Sequence, residues 1–354
     1  MKKVCMLGSG AWGTAVASVL AYNGYQVNLW CHESDVAKMI ETKHCNERYL
    51  PDANLSKRIV PFIDMKKALE GVQWVFEAIP VKFLRAVLEK AKPYYKDHQR
   101  WVILSKGIEN EKLLLSSQIL DDVFKTNVKK VVVSGPSFAK EVAAQQVTAV
   151  DMACVDEKLA LELYKVLTNN YFRANVIDDI LGVQIGGALK NIVAIATGML
   201  YGAGYADNTK ALMLTSCLHE MVDFATFLGV HKETICGLSG FGDLSLTCMG
   251  ALSRNLMIGK KLGAGQTLEG ILAQTHAVPE GVNTVKSVYA MIQQCKLGNP
   301  EFKMVKANPD AARSGYKLHM KCKEEVLQMP LFEAIYEVVF ENKTIQDLID
   351  VLKR

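Results

Sequence analysis

The chain has 354 residues, and at roughly 100–150 residues per domain that predicts two or three compact units, each with its own core. Half of the residues are hydrophobic and 22% are charged, a balance that excludes a disordered or fibrous protein. The 41 Lys and Arg exceed the 37 Asp and Glu by only +4, so no nucleic-acid partner is expected. The nine cysteines are odd in number and none stands in C-x-x-C spacing, which reads as reduced thiols in a cytoplasmic protein and not as a disulfide frame or zinc site.

In chain order, a short apolar strand at Lys3–Leu7 leads through a glycine turn into a helical pattern from about Ala11 to Tyr22. Asn23-Gly24 stops that helix, and Gln26–Trp30 is a second strand. Strand patterns recur at Trp74–Ile79, Trp101–Leu104 and Val131–Val133, with helical stretches such as 81–91 and 112–124 between them. Val147–Ala153 and Tyr171–Ile177 extend the same sheet. Such alternation predicts a Rossmann-type α/β fold with a mostly parallel sheet. After Asp178 the pattern turns helical, through 180–200, 209–228, 254–262, 282–295 and 331–352. We therefore expect a dinucleotide-binding domain over 1–178 and an all-helical substrate-binding domain over 179–354. A lysine-rich polar excursion stands out at about 296–325.

Two apolar stretches are not read as membrane spans. Met1–Leu20 imitates a secretory signal, but Gly8, Ser9, Gly10 and Gly13 would break its helix. Residues 180–205 carry Gln184, Lys190, Asn191 and several glycines, and a charge inside such a span is costly.

The turn Gly8-Ser9-Gly10-Ala11-Trp12-Gly13 lies between a strand and a helix, where a G-x-G-x-x-G pattern has its physical use. The first glycine allows the tight turn, the second lets the backbone approach a pyrophosphate, and the third lets strand and helix pack closely. The helix amino terminus then faces the phosphate charge. At the ribose end Glu33 is a candidate acid that falls slightly late, with a solvated loop acid as the bland alternative. NAD versus NADP stays open.

Other candidates gather at strand ends and helix starts. Lys106 follows the strand WVILS at the sheet edge where ligands bind, though a surface lysine is the simpler reading. Gly135-Pro136-Ser137 follows KVVVS, and Ser137 is expected to cap the next helix. Lys190 is the most informative residue. It sits in GGALKNIVAI, a helix apolar or small on nearly every side, where a lysine is costly unless paired or functional; a snorkelling stem is the alternative. Burial would lower its pKa toward the range of acid–base work. Asp243 and Thr247 share one helical face, and Asp243 is placed to pair with Lys190 or simply to favour a helix start. Ser253-Arg254-Asn255 begins another helix, and a guanidinium there suits a phosphate as well as it suits open solvent.

Together, GSGAWGTA (8–15), SKGIE (105–109), SGPSFAKEV (134–142), GVQIGGALKNIVAIATG (182–198), SGFGDLSLTC (239–248) and SRN (253–255) resemble the bacterial-type NAD(P)-dependent glycerol-3-phosphate dehydrogenases. The likeness covers roughly 1–295 and about 326–352. It implies a fold like that of 6-phosphogluconate dehydrogenase and the reversible reduction of dihydroxyacetone phosphate to sn-glycerol 3-phosphate, the glycerophospholipid backbone. It further implies that Lys190 exchanges the proton at the C2 oxygen and that Lys106 touches substrate and cofactor. Asp243 and Thr247 would support the catalytic centre. Gly135, Ser137, Asp243, Ser253, Arg254 and Asn255 would contact substrate, the last two at its phosphate. Gly8, Gly10, Ala11, Trp12, Gly13, His32, Lys106, Ala139, Arg254, Val278 and Glu280 would contact NAD or NADP. No metal is implied, the partner is a phosphorylated small molecule, and the default assembly is a homodimer.

Ala11 stands where many relatives carry Ser, and Pro279 interrupts the usual V-x-E-G ending at Gly281. Two rival readings fit the same residues. One is a dehydrogenase of the same plan acting on a hydroxyacid such as 6-phosphogluconate or ketopantoate, against which the Arg254-Asn255 pair and the two lysines speak. The other is a nicotinamide sensor without turnover, which would have no use for Lys190.

Overall fold

The computed structural model describes residues 2–274, 279–296 and 327–354. Val278 and nearly all of the excursion at 296–325 lie outside the described residues. By its internal contacts the chain divides into two compact units, Met1–Ser105 with Ser116–Ile180, and Lys106–Leu115 with Leu181–Arg354.

The first unit is an eight-stranded sheet. Its strands are β1 (Lys3–Leu7), β2 (Gln26–Trp30), β3 (Ile59–Phe62), β4 (Trp74–Glu77), β5 (Arg100–Ile103), β6 (Lys130–Ser134), β7 (Thr148–Ala153) and β8 (Phe172–Ile177), in spatial order 3-2-1-4-5-6-7-8. Strands β1 to β6 run parallel, β7 pairs antiparallel with β6, and β8 runs parallel to β7. The order reverses between β1 and β4, and the glycine turn leaves β1 at that switch point. Helices cover the sheet; the one at Val81–Ala91 buries Val81, Leu84, Val87, Leu88 and Ala91 along a single stripe.

Strand β3 has no counterpart in the sequence reading. Pro61 argues against a strand, but β3 is the sheet's edge, where a missing N–H costs no ladder bond. The single antiparallel step, β6–β7, leaves the sheet mostly parallel, as expected. The helix expected over 112–124 spans only Ser116–Phe124. Residues 106–115 instead form a small loop closed by an Ile108–Leu115 bridge, with both side chains in the core of the helical unit.

The second unit is helical. Its central helix, Ile180–Gly202, is long and apolar enough to cross a membrane, and 94% of that apolar window is buried inside the fold. It meets the Arg254–Gly263 helix main chain to main chain. A Cβ on Gly198 would stand 2.3 Å from the Leu256 carbonyl oxygen, and one on Gly259 would stand 2.1 Å from that of Ile195. Only glycine permits an approach this close. The pattern at 331–352 resolves into two helices, Pro330–Phe340 and Ile345–Leu352. Asn342 takes a left-handed conformation between them, and Thr344 with Asp347 closes a capping box that starts the second.

Candidate active site

In the sheet unit, Gly8 adopts φ +108° at the end of β1, a conformation closed to most side chains. A Cβ on Gly13 would stand 2.0 Å from the Gly8 carbonyl oxygen, so only a hydrogen lets helix and turn close up. The Ser9 carbonyl accepts from Thr14 Oγ1 at 3.1 Å and from Asn46 Nδ2 at 2.8 Å, which braces the turn. The helix Ala11–Tyr22 begins at Gly10 with no side-chain cap, and a Cβ on Gly10 would meet nothing within 4 Å. An uncapped helix start beside open space fits a diphosphate. Trp12 adds a buried indole N–H that has no hydrogen-bond partner among the described residues. Ala11 begins this helix and contributes backbone only.

His32 is exposed just beyond β2, and Glu33 accepts a hydrogen bond from Tyr49 Oη at 2.7 Å. The loop after β6 corrects one expectation. The helix Ala139–Ala143 starts from Phe138 with no side-chain cap, because the Ser137 hydroxyl turns back to donate to the Gly135 carbonyl at 2.9 Å. Gly135 packs so closely on β7 that a Cβ would stand 2.8 Å from the Val150 Cα.

The helical unit assembles an ionic cluster. Lys190 Nζ donates to Asp243 Oδ1 at 2.5 Å and to Thr247 Oγ1 at 2.8 Å, while the Thr247 hydroxyl donates to the Asp243 main-chain carbonyl at 2.6 Å. Lys106 Nζ donates to Asp243 Oδ2 at 2.6 Å. The Asp243 side chain is 2% exposed, that of Lys190 9% and that of Lys106 19%. A π-helical turn at Leu238–Gly242, not a plain helix start, delivers Asp243 to this point. One carboxylate thus faces two ammonium groups, and the three largely buried side chains carry a net positive charge. The Lys190 amine is lowered to about 8, because burial and the neighbouring Lys106 outweigh the upward pull of Asp243. Such an arrangement can stabilise an oxyanion and exchange a proton with it.

Beside this cluster, Asn255 Nδ2 donates to Asn191 Oδ1 at 2.9 Å, and the Gly281 N–H donates to Asn255 Oδ1 at 3.2 Å. Ser253 caps the Arg254–Gly263 helix by accepting from the Leu256 N–H at 3.2 Å. Arg254 is exposed and shares with Lys261 the lining of a cavity of about 160 Å³. Glu280 opens the helix that runs to Lys296.

Asn191 escaped the sequence reading, although a polar amide next to Lys190 on a buried small-residue helix carried the same signal. Ser287 escaped it too: its hydroxyl lies 3.0 Å from the Ile108 carbonyl on the loop that carries Lys106, a pairing 179 positions apart that no local pattern marks.

The family model described as NAD-dependent glycerol-3-phosphate dehydrogenase N-terminus matches residues 3–160, and the corresponding C-terminus model matches 179–308. The chain is 37% identical over 354 residues to glycerol-3-phosphate dehydrogenase NAD(P)+ of Bacillus velezensis, covering 99% of this chain and 94% of that one. Against the protein of the same description from Lactiplantibacillus plantarum it is 34% identical, with 100% and 97% covered. The crystal structure of glycerol-3-phosphate dehydrogenase from Coxiella burnetii superposes with a TM-score of 0.86 at 30% identity, covering 100% of this chain and 99% of that one.

Proposed function

Since the chain belongs to the NAD-dependent glycerol-3-phosphate dehydrogenase family and takes a nicotinamide dinucleotide as cofactor, we propose that it reduces dihydroxyacetone phosphate to sn-glycerol 3-phosphate with Lys190 as the proton donor at C2. The observation that carries this reading is the buried Lys190 amine held between Asp243 and Thr247. When bound, the nicotinamide supplies the hydride that C2 takes up. Negative charge then grows on the C2 oxygen, and the Lys190 ammonium stabilises it and gives it a proton. Asp243 keeps the amine aimed, Thr247 fixes its second hydrogen bond, and Lys106 adds a further positive charge.

Arg254 and Asn255 hold the substrate phosphate, Arg254 by a charge-assisted contact and Asn255 through an amide already ordered by Asn191 and Gly281. Ser253, Gly135 and Ser137 complete the substrate contacts. Gly8, Gly10, Ala11, Trp12 and Gly13 receive the cofactor's diphosphate end, with His32, Ala139, Glu280 and Arg254 as further contacts. In this reading residues 1–178 bind the dinucleotide and 179–354 bind the substrate. The product feeds the glycerophospholipid backbone, the compartment is the cytoplasm, and the assembly is a homodimer.

The test is the loss of nicotinamide absorbance when the purified protein meets NADH and dihydroxyacetone phosphate, followed across pH. Reduction needs the protonated amine, so kcat/KM holds below pH 8 and falls above it, whereas oxidation of glycerol 3-phosphate rises up to that point. Turnover of a keto acid in place of dihydroxyacetone phosphate overturns the reading.

A further inference from the structure

We propose that Ser287 is a positioning residue for Lys106, and that the helix Glu280–Lys296 is the common reference on which the lysine cluster is set. The inference rests on the reading of Lys106 as part of the active centre.

Lys106 stands at the start of the loop 106–115, and its ammonium can meet Asp243 only if that loop is held in place. The loop supplies part of its own order, through the Ile108–Leu115 bridge and the Glu109 N–H, which donates to the Leu114 carbonyl at 2.9 Å. These bonds fix its shape without fixing where it sits. Ser287 does the second task. It is 1% exposed, and its hydroxyl lies 3.0 Å from the Ile108 carbonyl, closer still to Asn110 Oδ1, and 3.4 Å from its own helix's Asn283 carbonyl.

One hydroxyl proton cannot serve three acceptors. Turning the Asn110 amide by half a rotation makes it the donor to Ser287 Oγ, and leaves the serine proton for Ile108. The hydroxyl then both gives and receives across the same joint. Without it, the Ile108 carbonyl loses a buried partner, two residues from the catalytic-side lysine.

The same helix grips the other two segments of the site at its amino-terminal end. The Gly281 N–H donates to Asn255 Oδ1, and Asn255 in turn holds Asn191, the neighbour of Lys190. A Cβ on Gly281 would stand 2.7 Å from Asn255 Oδ1 and 2.8 Å from the Asn191 carbonyl oxygen, so the contact is main chain against site residue. One rigid element therefore registers Lys106 through Ser287, and Asn255 with Asn191 through Gly281.

The experiment is a double-mutant cycle of Ser287→Ala with Lys106→Ala, read by kcat, KM and the pH profile. Alanine is a better helix former than serine, which protects the fold. A displacement of the order of 1 Å in a catalytic group costs up to about a hundredfold, so Ser287→Ala should lower kcat roughly tenfold while NADH binding and the KM for dihydroxyacetone phosphate stay within about threefold. In the Lys106→Ala background the same substitution should change nothing further. The pH profile gives an independent reading. Asp243, Lys106 and Cys248 are the charged and titratable groups that act on Lys190, and Lys106 lowers its pKa. If the loop drifts, that influence weakens and the bend in the profile moves to higher pH. Equal losses in both backgrounds, or a wild-type kcat with an unmoved bend, overturn the inference. If Lys106→Ala alone retains full turnover, it is the reading of Lys106 that fails; if Lys106→Ala is impaired and Ser287→Ala is not, only the role of Ser287 fails. Should Ser287→Ala unfold, Asn110→Ala breaks the same joint from the loop side and is judged by the same outcomes.

Discussion

The sheet unit and the helical unit build their functional surfaces from different materials. At the turn after β1 almost everything is main chain: a left-handed Gly8, a Gly13 with no room for a methyl group, and an uncapped helix start. Around Asp243 almost everything is side chain, with Lys190, Lys106 and Thr247 converging on it, and the amides of Asn191 and Asn255 likewise pair side chain to side chain. A backbone site tolerates changes of side chain but not of volume, whereas a side-chain site fails one functional group at a time. Substitutions in the two places should therefore fail in different ways.

The largest effect should come from Lys190→Ala, which removes the proposed acid–base group. Turnover should fall by about 10²–10⁴ while NADH binding, measured by fluorescence titration, stays near wild type. Arg254→Ala comes next. Loss of the proposed charge-assisted contact, worth about 1.5–3 kcal/mol, should raise the KM for dihydroxyacetone phosphate roughly 10- to 100-fold, with a smaller change in kcat. An unchanged KM would remove Arg254 from the phosphate. Gly13→Ala probes the other surface. Its methyl group must push the Gly8 carbonyl aside, so NADH should bind at least about tenfold more weakly, and reduction measured at saturating NADH should recover. Equal damage to both steps would mean that the two surfaces are not separable in this way.

Glu77 should show the smallest kinetic effect and a distinct thermal one. This carboxyl is buried at the end of β4, accepts from Ser105 Oγ at 2.6 Å, and is pushed by burial from 4.5 up to about 8 despite the hydrogen bonds that pull it down. Between those values the unfolded chain has released the proton and the folded one has kept it, so stability declines as pH rises from about 4.5 to 8. Glu77→Gln should flatten that decline in melting temperature and leave turnover unchanged. A variant that melts with the wild-type pH slope would count against it.

These particulars show what the sequence made legible. Parallel strands were readable because they are buried on both faces and carry continuous β-branched runs, and the first turn because its glycines sit at spacings only one geometry uses. Lys190 was conspicuous because a charge on a wholly apolar helix needs a reason. Strand β3 was hidden by Pro61, whose presence makes sense only once the strand is known to be an edge. The diversion of residues 106–115 into the helical unit was hidden as well, since the apolar spacing of Ile108 and Leu115 is the same whichever core receives them. Ser137 misled because its hydroxyl had two backbone groups to choose from, and the nearer carbonyl won. Ser287 and Gly281 were beyond local pattern because their partners lie far along the chain.

The crossing of the Lys190 helix at Gly198 and Gly259 has a mechanical consequence. Where two peptide backbones touch, no rotamers stand between them to be frozen on folding or excited on warming. The amine is thus mounted on a joint with almost no play, and thermal motion that loosens leucine-lined contacts elsewhere has little to act on there. A single methyl group at Gly259 would convert that joint into a wedge and tilt Lys190 without touching it.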